Sequence, residues 1–107
     1  MRQCLDQELH VITDNGEQCF MWRSRELTYI GQDRQELPQV LANTFGQLAT
    51  RLDLSYNSLR RFNNIGSFNQ LSELILDNNE FQDDDLEFRQ NLCLKTLSIN
   101  KNKVSTL

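Results

Sequence analysis

The chain has no excess of basic residues, no second histidine, no C-x-x-C pair and no long apolar run, and each absence removes a class of function. Lys and Arg number 11 against 15 Asp and Glu, a formal net charge of −4, so no basic field exists to neutralise phosphates, and nucleic acid is excluded as the main partner. No stretch approaches the roughly 18 apolar residues that a membrane span needs, which argues against membrane insertion. The only histidine is His10, and no G-x-S-x-G, phosphate loop or Cys/His pairing occurs, so the sequence offers no catalytic residue and calls for no cofactor. Cys4, Cys19 and Cys93 are odd in number and lack metal or redox spacing. They read as free thiols in a reducing compartment, with no metal site. Met1 to His10 lacks the apolar core of a signal peptide, which makes the cytoplasm the expected location.

What is present is enough for one folded domain. The 107 residues are 38% hydrophobic and 24% charged, with six Phe, richer in apolar residues than a disordered chain. Three segments align with one another: Ala49-Thr-Arg-Leu52-Asp-Leu54-Ser-Tyr-Asn57-Ser-Leu59, Leu71-Ser-Glu-Leu74-Ile-Leu76-Asp-Asn-Asn79-Glu-Phe81, and Leu94-Lys-Thr-Leu97-Ser-Ile99-Asn-Lys-Asn102-Lys-Val104. Each fits L-x-x-L-x-L-x-x-N-x-L, and the asparagines recur at intervals of 22 and 23 residues. A degenerate copy precedes them, with Leu27, Tyr29, Leu37 and Pro38 at its apolar positions, Gln32 in place of the Asn and Arg34 in place of a core Leu. Its surplus length lies between Pro38 and Leu48, where Leu37, Leu41, Phe45 and Leu48 recur at helical spacing. A short helix is expected there, with Pro38 in its first turn and Gly46 weakening its end.

The pattern is that of the leucine-rich repeat superfamily, which the chain resembles over residues 27 to 107. The resemblance implies an α/β solenoid, with a short parallel sheet on the concave side and short helices and loops on the convex side. Leucines at i and i+2 put two side chains on the inner face of each strand. The following asparagines, Asn57, Asn79 and Asn102, would form a ladder satisfying the backbone where the strand turns. Phe62, Ile65 and Phe68 would return over the core. Residues 1–26 read as an N-terminal cap, with Asn15-Gly16 between two β-prone runs, a strong hairpin signal. Residues 27–107 then hold one degenerate repeat, two full repeats and one that stops partway, suggesting a fragment, a short isoform or a fraying last coil. The stretch around Leu27, Leu37, Leu52 and Asn79 is similar to intracellular members tied to melanocyte differentiation. That similarity implies a cytoplasmic adaptor without enzymatic activity.

The surface of such a fold is usually read through strand residues that point away from the core. Here they form columns: Arg51, Glu73, Thr96; Asp53, Ile75, Ser98; Ser55, Asp77, Asn100; and Tyr56, Asn78, Lys101. Tyr56, Glu73, Ile75, Asp77 and Lys101 are the candidate partner-binding residues. Ile75 among polar neighbours, with Tyr56 nearby, resembles a small anchor in a polar rim; against this, single exposed apolar residues are ordinary and Ile suits strands. The expected function is a monomeric adaptor that binds another protein. The alternative is a structural scaffold segment whose recognition surface lies in further repeats. Asp83-Asp84-Asp85 lacks the alternation and glycine of a calcium loop and better suits the start of a helix over Leu86 to Leu92. Arg60-Arg61 reads as a solvated patch, His10 as structural or idle, and Trp22 as packing of the cap against Leu27 and Leu37.

Overall fold

The computed structural model describes residues 8–13, 16–62, 64–82, 85 and 94–104. The architecture is mixed α/β, a six-stranded sheet with one α-helix. The strands are β1 (Leu9–Thr13), β2 (Gly16–Arg23), β3 (Glu26–Thr28), β4 (Arg51–Asp53), β5 (Glu73–Ile75) and β6 (Thr96–Ser98), and they lie side by side in chain order. Helix α1 (Gln39–Phe45) follows β3, and a single 3-10 turn (Ile65–Ser67) follows β4. No helix among the described residues is long and apolar enough to cross a membrane.

The sheet changes character at β3. The first two pairings are antiparallel, with Leu9 opposite Phe20 and Trp22 opposite Leu27. From β3 onward every pairing is parallel and in register, so that Leu27, Leu52, Leu74 and Leu97 stand in one row. Alternation along a strand sends this row to one face. Leu27, Leu52 and Leu74 are wholly inaccessible, and Leu54, Leu59, Leu76 and Phe81 join them in a continuous core. Strands of three residues cannot hold such a face alone; each needs its neighbours, which makes their stability mutual.

The segments returning between strands cover this face. Leu41 and Ala42 of α1 are buried, and Phe62 meets Phe68 edge-on with centroids 5.7 Å apart. Pro38 caps the helix instead of occupying its first turn, because the peptide after Pro38 is still extended (ψ 133°). Seven residues of helix end at Phe45, so Leu48, which continues the helical spacing, falls beyond the helix and is 48% exposed. Gly46 is helical (φ −55°), and its role is closeness rather than weakness: a Cβ there would sit 2.5 Å from the carbonyl oxygens of Ala42 and Ser67. The hairpin of β1 and β2 continues into β3 through Ser24 and Arg25, both at positive φ (54° and 63°). The carbonyl of Arg25 receives the N–H groups of Thr50 and Arg51 at 2.9 and 3.4 Å, which fixes this tight turn to the next crossover. Phe20 and Trp22 project from β2 onto Phe45, the indole stacking at 4.5 Å. Trp22 therefore packs the hairpin on the helix.

Cys19, buried on β2, is disulfide-bonded, which corrects the reading of the cysteines as free thiols. An odd count of cysteines without motif spacing carries no sign of a pairing in the sequence. Cys4, Cys93 and the expected helix from Leu86 lie outside the described residues, as do Asp83, Asp84, Asn15 and the side chain of Ile65.

Candidate functional site

The polar face of the sheet is built by the same alternation that buries the leucines. Arg51, Glu73 and Thr96 form one row across β4, β5 and β6, and Asp53, Ile75 and Ser98 form the next. Arg51 lies within 3.3 Å of Glu73 and 3.8 Å of both Glu26 and Asp53. Half-exposed pairs of this kind contribute at most about 1 kcal/mol each; their effect is to hold the guanidinium flat across three strands. Ile75 stands partly exposed between Asp53 and Ser98.

Beyond each parallel strand the chain turns through one residue in the left-handed region. Gly31 (φ 68°), Tyr56 (59°), Asn78 (58°) and Lys101 (59°) occupy equivalent places, each directly before a ladder residue. The turn points the next side chain inward. Asn57 donates to the carbonyls of Tyr29 (2.8 Å) and Leu54 (3.1 Å) and accepts from the backbone N–H of Gln32 (3.0 Å). Asn79 repeats this with Leu54 (2.9 Å), Leu76 (3.1 Å) and the N–H of Leu59 (2.9 Å), and Asn102 with Leu76 (2.8 Å), Ile99 (3.1 Å) and the N–H of Phe81 (3.0 Å). Gln32 fills the same role one step earlier, accepting from the Cys19 N–H at 3.0 Å and donating to the Ile30 carbonyl at 2.9 Å, so the row of amides reaches the hairpin.

The five candidate residues fare differently. Tyr56 is 63% exposed and Lys101 is exposed, both on the row of turns, while Ile75 and Glu73 lie on the strand face. Asp77 is already engaged: its Oδ1 accepts from Ser98 Oγ at 2.7 Å and from the Asn100 N–H at 2.8 Å. Asp53 is used in the same way by the N–H and hydroxyl of Ser55. These carboxylates pin the strand ends before they can meet a partner. The left-handed turns escaped the sequence reading because Tyr and Lys do not advertise them, although Gly31 and Asn78 at the same step were a legible signal.

Elsewhere, His10 is exposed beside Glu17 on the hairpin surface. Tyr29 is fully buried and donates its hydroxyl to Gln18; burial pushes its phenol above the usual range, against the opposing pull of the Arg34 cation. A cleft of about 720 Å³ lies between the hairpin and the stretch from Asp33 to Val40, with Ile12 and Val40 at its rim. Its lining carries two carboxylates, Asp33 and Glu36, with Arg34 among them. Among the described residues no group of three or more His, Cys, Asp or Glu converges as a metal site. No known protein family, curated protein or solved structure matches the chain.

Proposed function

We propose that the chain is a leucine-rich repeat module of solenoid form that binds another protein through the polar face of its sheet and the adjoining row of turns, without catalysis. The observation that carries this is Tyr56. It holds a left-handed backbone (φ 59°) where neighbouring turns use Gly31 and Asn78, and its ring is 63% exposed. An ordinary L-residue there costs roughly 1–2 kcal/mol, and a ring so exposed recovers little of it by packing. Stability alone would not keep Tyr at this step; a contact made with a partner would. Ile75, on the strand face beside this row, supplies the second apolar contact, with Arg51 and Glu73 as a polar rim.

The cellular setting implied by the resemblance, a cytoplasmic adaptor in melanocyte differentiation, belongs to the same proposal. The disulfide at Cys19 weighs against a reducing compartment, since such bonds persist in oxidising ones. The test of the binding face is affinity capture from lysate with the native chain and with a Tyr56→Asn, Ile75→Asp double variant, both checked for folding by circular dichroism. Tyr56→Asn alone is expected to raise stability by about 1 kcal/mol, and the double variant to lose the captured partners. An unchanged set of partners would remove the site from this face.

A further inference from the structure

The carboxylates of the sheet face are committed within it. Glu26 and Glu73 lie against Arg51 (3.8 and 3.3 Å), Asp53 accepts from Ser55, and Asp77 accepts from Ser98 and the Asn100 N–H. The cations at the corner where β2 passes into β3 are not committed. Arg23 and Arg25 flank Ser24 at this turn, all three exposed, and among the described residues neither guanidinium has an ion pair or a side-chain hydrogen bond. Arg23 stands opposite Glu26, yet that carboxylate turns to Arg51. In a chain of net charge −4, the free charge at this corner is positive.

The backbone beneath these cations is tightly held. Ser24 and Arg25 both have left-handed φ (54° and 63°), the conformation of a two-residue hairpin turn, which Asn-Gly adopts most readily. The Arg25 carbonyl accepts the N–H groups of Thr50 (2.9 Å) and Arg51 (3.4 Å) and the Thr50 hydroxyl (3.5 Å). Three bonds on one carbonyl order the turn, so the guanidiniums leave from a preorganised backbone. Arg25 thus repeats the case of Tyr56, an exposed functional side chain at a step where glycine would turn more readily.

We infer that Arg23 and Arg25 take the carboxylates of an acidic peptide segment in the protein that the sheet face binds. The inference rests on the adaptor reading and gives its partner a charge. Guanidinium and carboxylate match in geometry and sign, whereas a basic segment would meet carboxylates that are already engaged. The ladder sets the spacing. Thr50 donates its N–H to the Arg25 carbonyl and Ser72 to that of Thr50, both at 2.9 Å, so Arg25, Thr50 and Ser72 are level on successive strands. Ile75 lies on β5 just beyond Ser72. With about 4.8 Å between strands and about 3.3 Å per residue along one, the Arg25 and Ile75 backbones are on the order of 14 Å apart. That is the span of about four extended residues. The segment therefore carries adjacent carboxylates and, about four residues on, an apolar side chain for Ile75.

The probe is the synthetic peptide acetyl-Glu-Glu-Gly-Ser-Ser-Leu-amide, titrated to millimolar concentration into the intact chain and followed by amide chemical shifts. Shifts are expected at Ser24, Arg25, Thr50 and Ile75, with binding several-fold weaker at high salt. The same peptide with Lys-Lys in place of Glu-Glu should shift none of them. An Arg23→Glu, Arg25→Glu chain should bind about tenfold more weakly. Arg25→Gly, which suits the left-handed turn, should melt no lower than the native chain and still bind several-fold more weakly, which separates recognition from a structural role. No shift at Ser24 and Arg25, equal binding of the lysine peptide or of inorganic phosphate, or unchanged affinity in the Arg23→Glu, Arg25→Glu chain would each overturn the inference. Shifts at Ile75 that vanish in the Tyr56→Asn, Ile75→Asp chain but persist in the arginine variants would leave the adaptor face standing and overturn its acidic partner.

Discussion

Asn79→Ala isolates what the ladder contributes. Asn79 is 7% exposed and makes four hydrogen bonds: its Oδ1 accepts from the Leu59 N–H, and its Nδ2 donates to the carbonyls of Leu54, Leu76 and Asp77. The carbonyls are not left bare by the substitution, because Leu54 keeps Asn57 and Leu76 keeps Asn102 as donors. The Leu59 N–H is left bare, in a residue 1% exposed. An orphaned buried donor costs roughly 1–3 kcal/mol and the loss of the weaker shared bonds about 1 kcal/mol more. A total near 3 kcal/mol follows, a large part of the 5–15 kcal/mol available to a domain of this size, and a fall in Tm of about 15 °C. Urea denaturation followed by circular dichroism reads this directly, with Asn100→Ala as the control, since Asn100 is exposed and its side-chain amide donates to Ser98 Oγ alone, at 3.3 Å, while its backbone bonds survive the substitution. Asn79→Asp separates the two halves of the amide, keeping the acceptor for Leu59 and removing every donor. If Asn79→Ala costs no more than Asn100→Ala, the ladder is geometry without energy and the account of the turns is wrong.

Gly46→Ala should destabilise by roughly 1–3 kcal/mol, as overpacking does, although Ala favours helix; the cause is the 2.5 Å approach to backbone oxygen of Ser67, and a rise in stability by thermal melting would mean the crossover yields. Thiol alkylation without reductant should label one of the three cysteines in the denatured chain, and all three after reduction, with Cys19 among those newly labelled; labelling of all three before reduction would show the thiols to be free.

The period was legible because it is written in residues with one structural meaning each. Leu at i and i+2 marks a three-residue strand, and the intervening positions then fall on the opposite face, so the row Arg51, Glu73, Thr96 could be listed from the chain alone. The hairpin was legible only in part. Asn15-Gly16 announces the hairpin in the sequence, whereas Ser24-Arg25 forms a tight turn with neither glycine nor asparagine, held by the carbonyl bonds of Arg25 that no local pattern shows. Leu48 shows the limit of periodicity, which counts spacing but not the residue at which the helix stops. Asp77 shows the limit of the columns: the sequence places its carboxylate on the face but not the Ser98 and Asn100 groups that occupy it. The cleft beside the hairpin was invisible because its walls come from segments that no repeat relates.

One geometric requirement ties the scaffold to its surface. To aim Asn57, Asn79 and Asn102 at backbone groups of the preceding coil, the residue before each must turn left-handed, and that turn lifts its own side chain off the core. The scaffold thus constrains the backbone of this row tightly while leaving the side chain without a packing task. Glycine or asparagine would satisfy the requirement most cheaply, as at Gly31 and Asn78, and both Tyr56 and Lys101 depart from it. In the interior rows the reverse holds, where Leu52 and Leu74 are fixed by packing and can vary only at the cost of a cavity. Side chains at the turns can therefore change for about 1 kcal/mol each, whereas Asp53 and Asp77 on the strands are engaged, which favours the row of turns over the strands as the contact surface of the proposed adaptor.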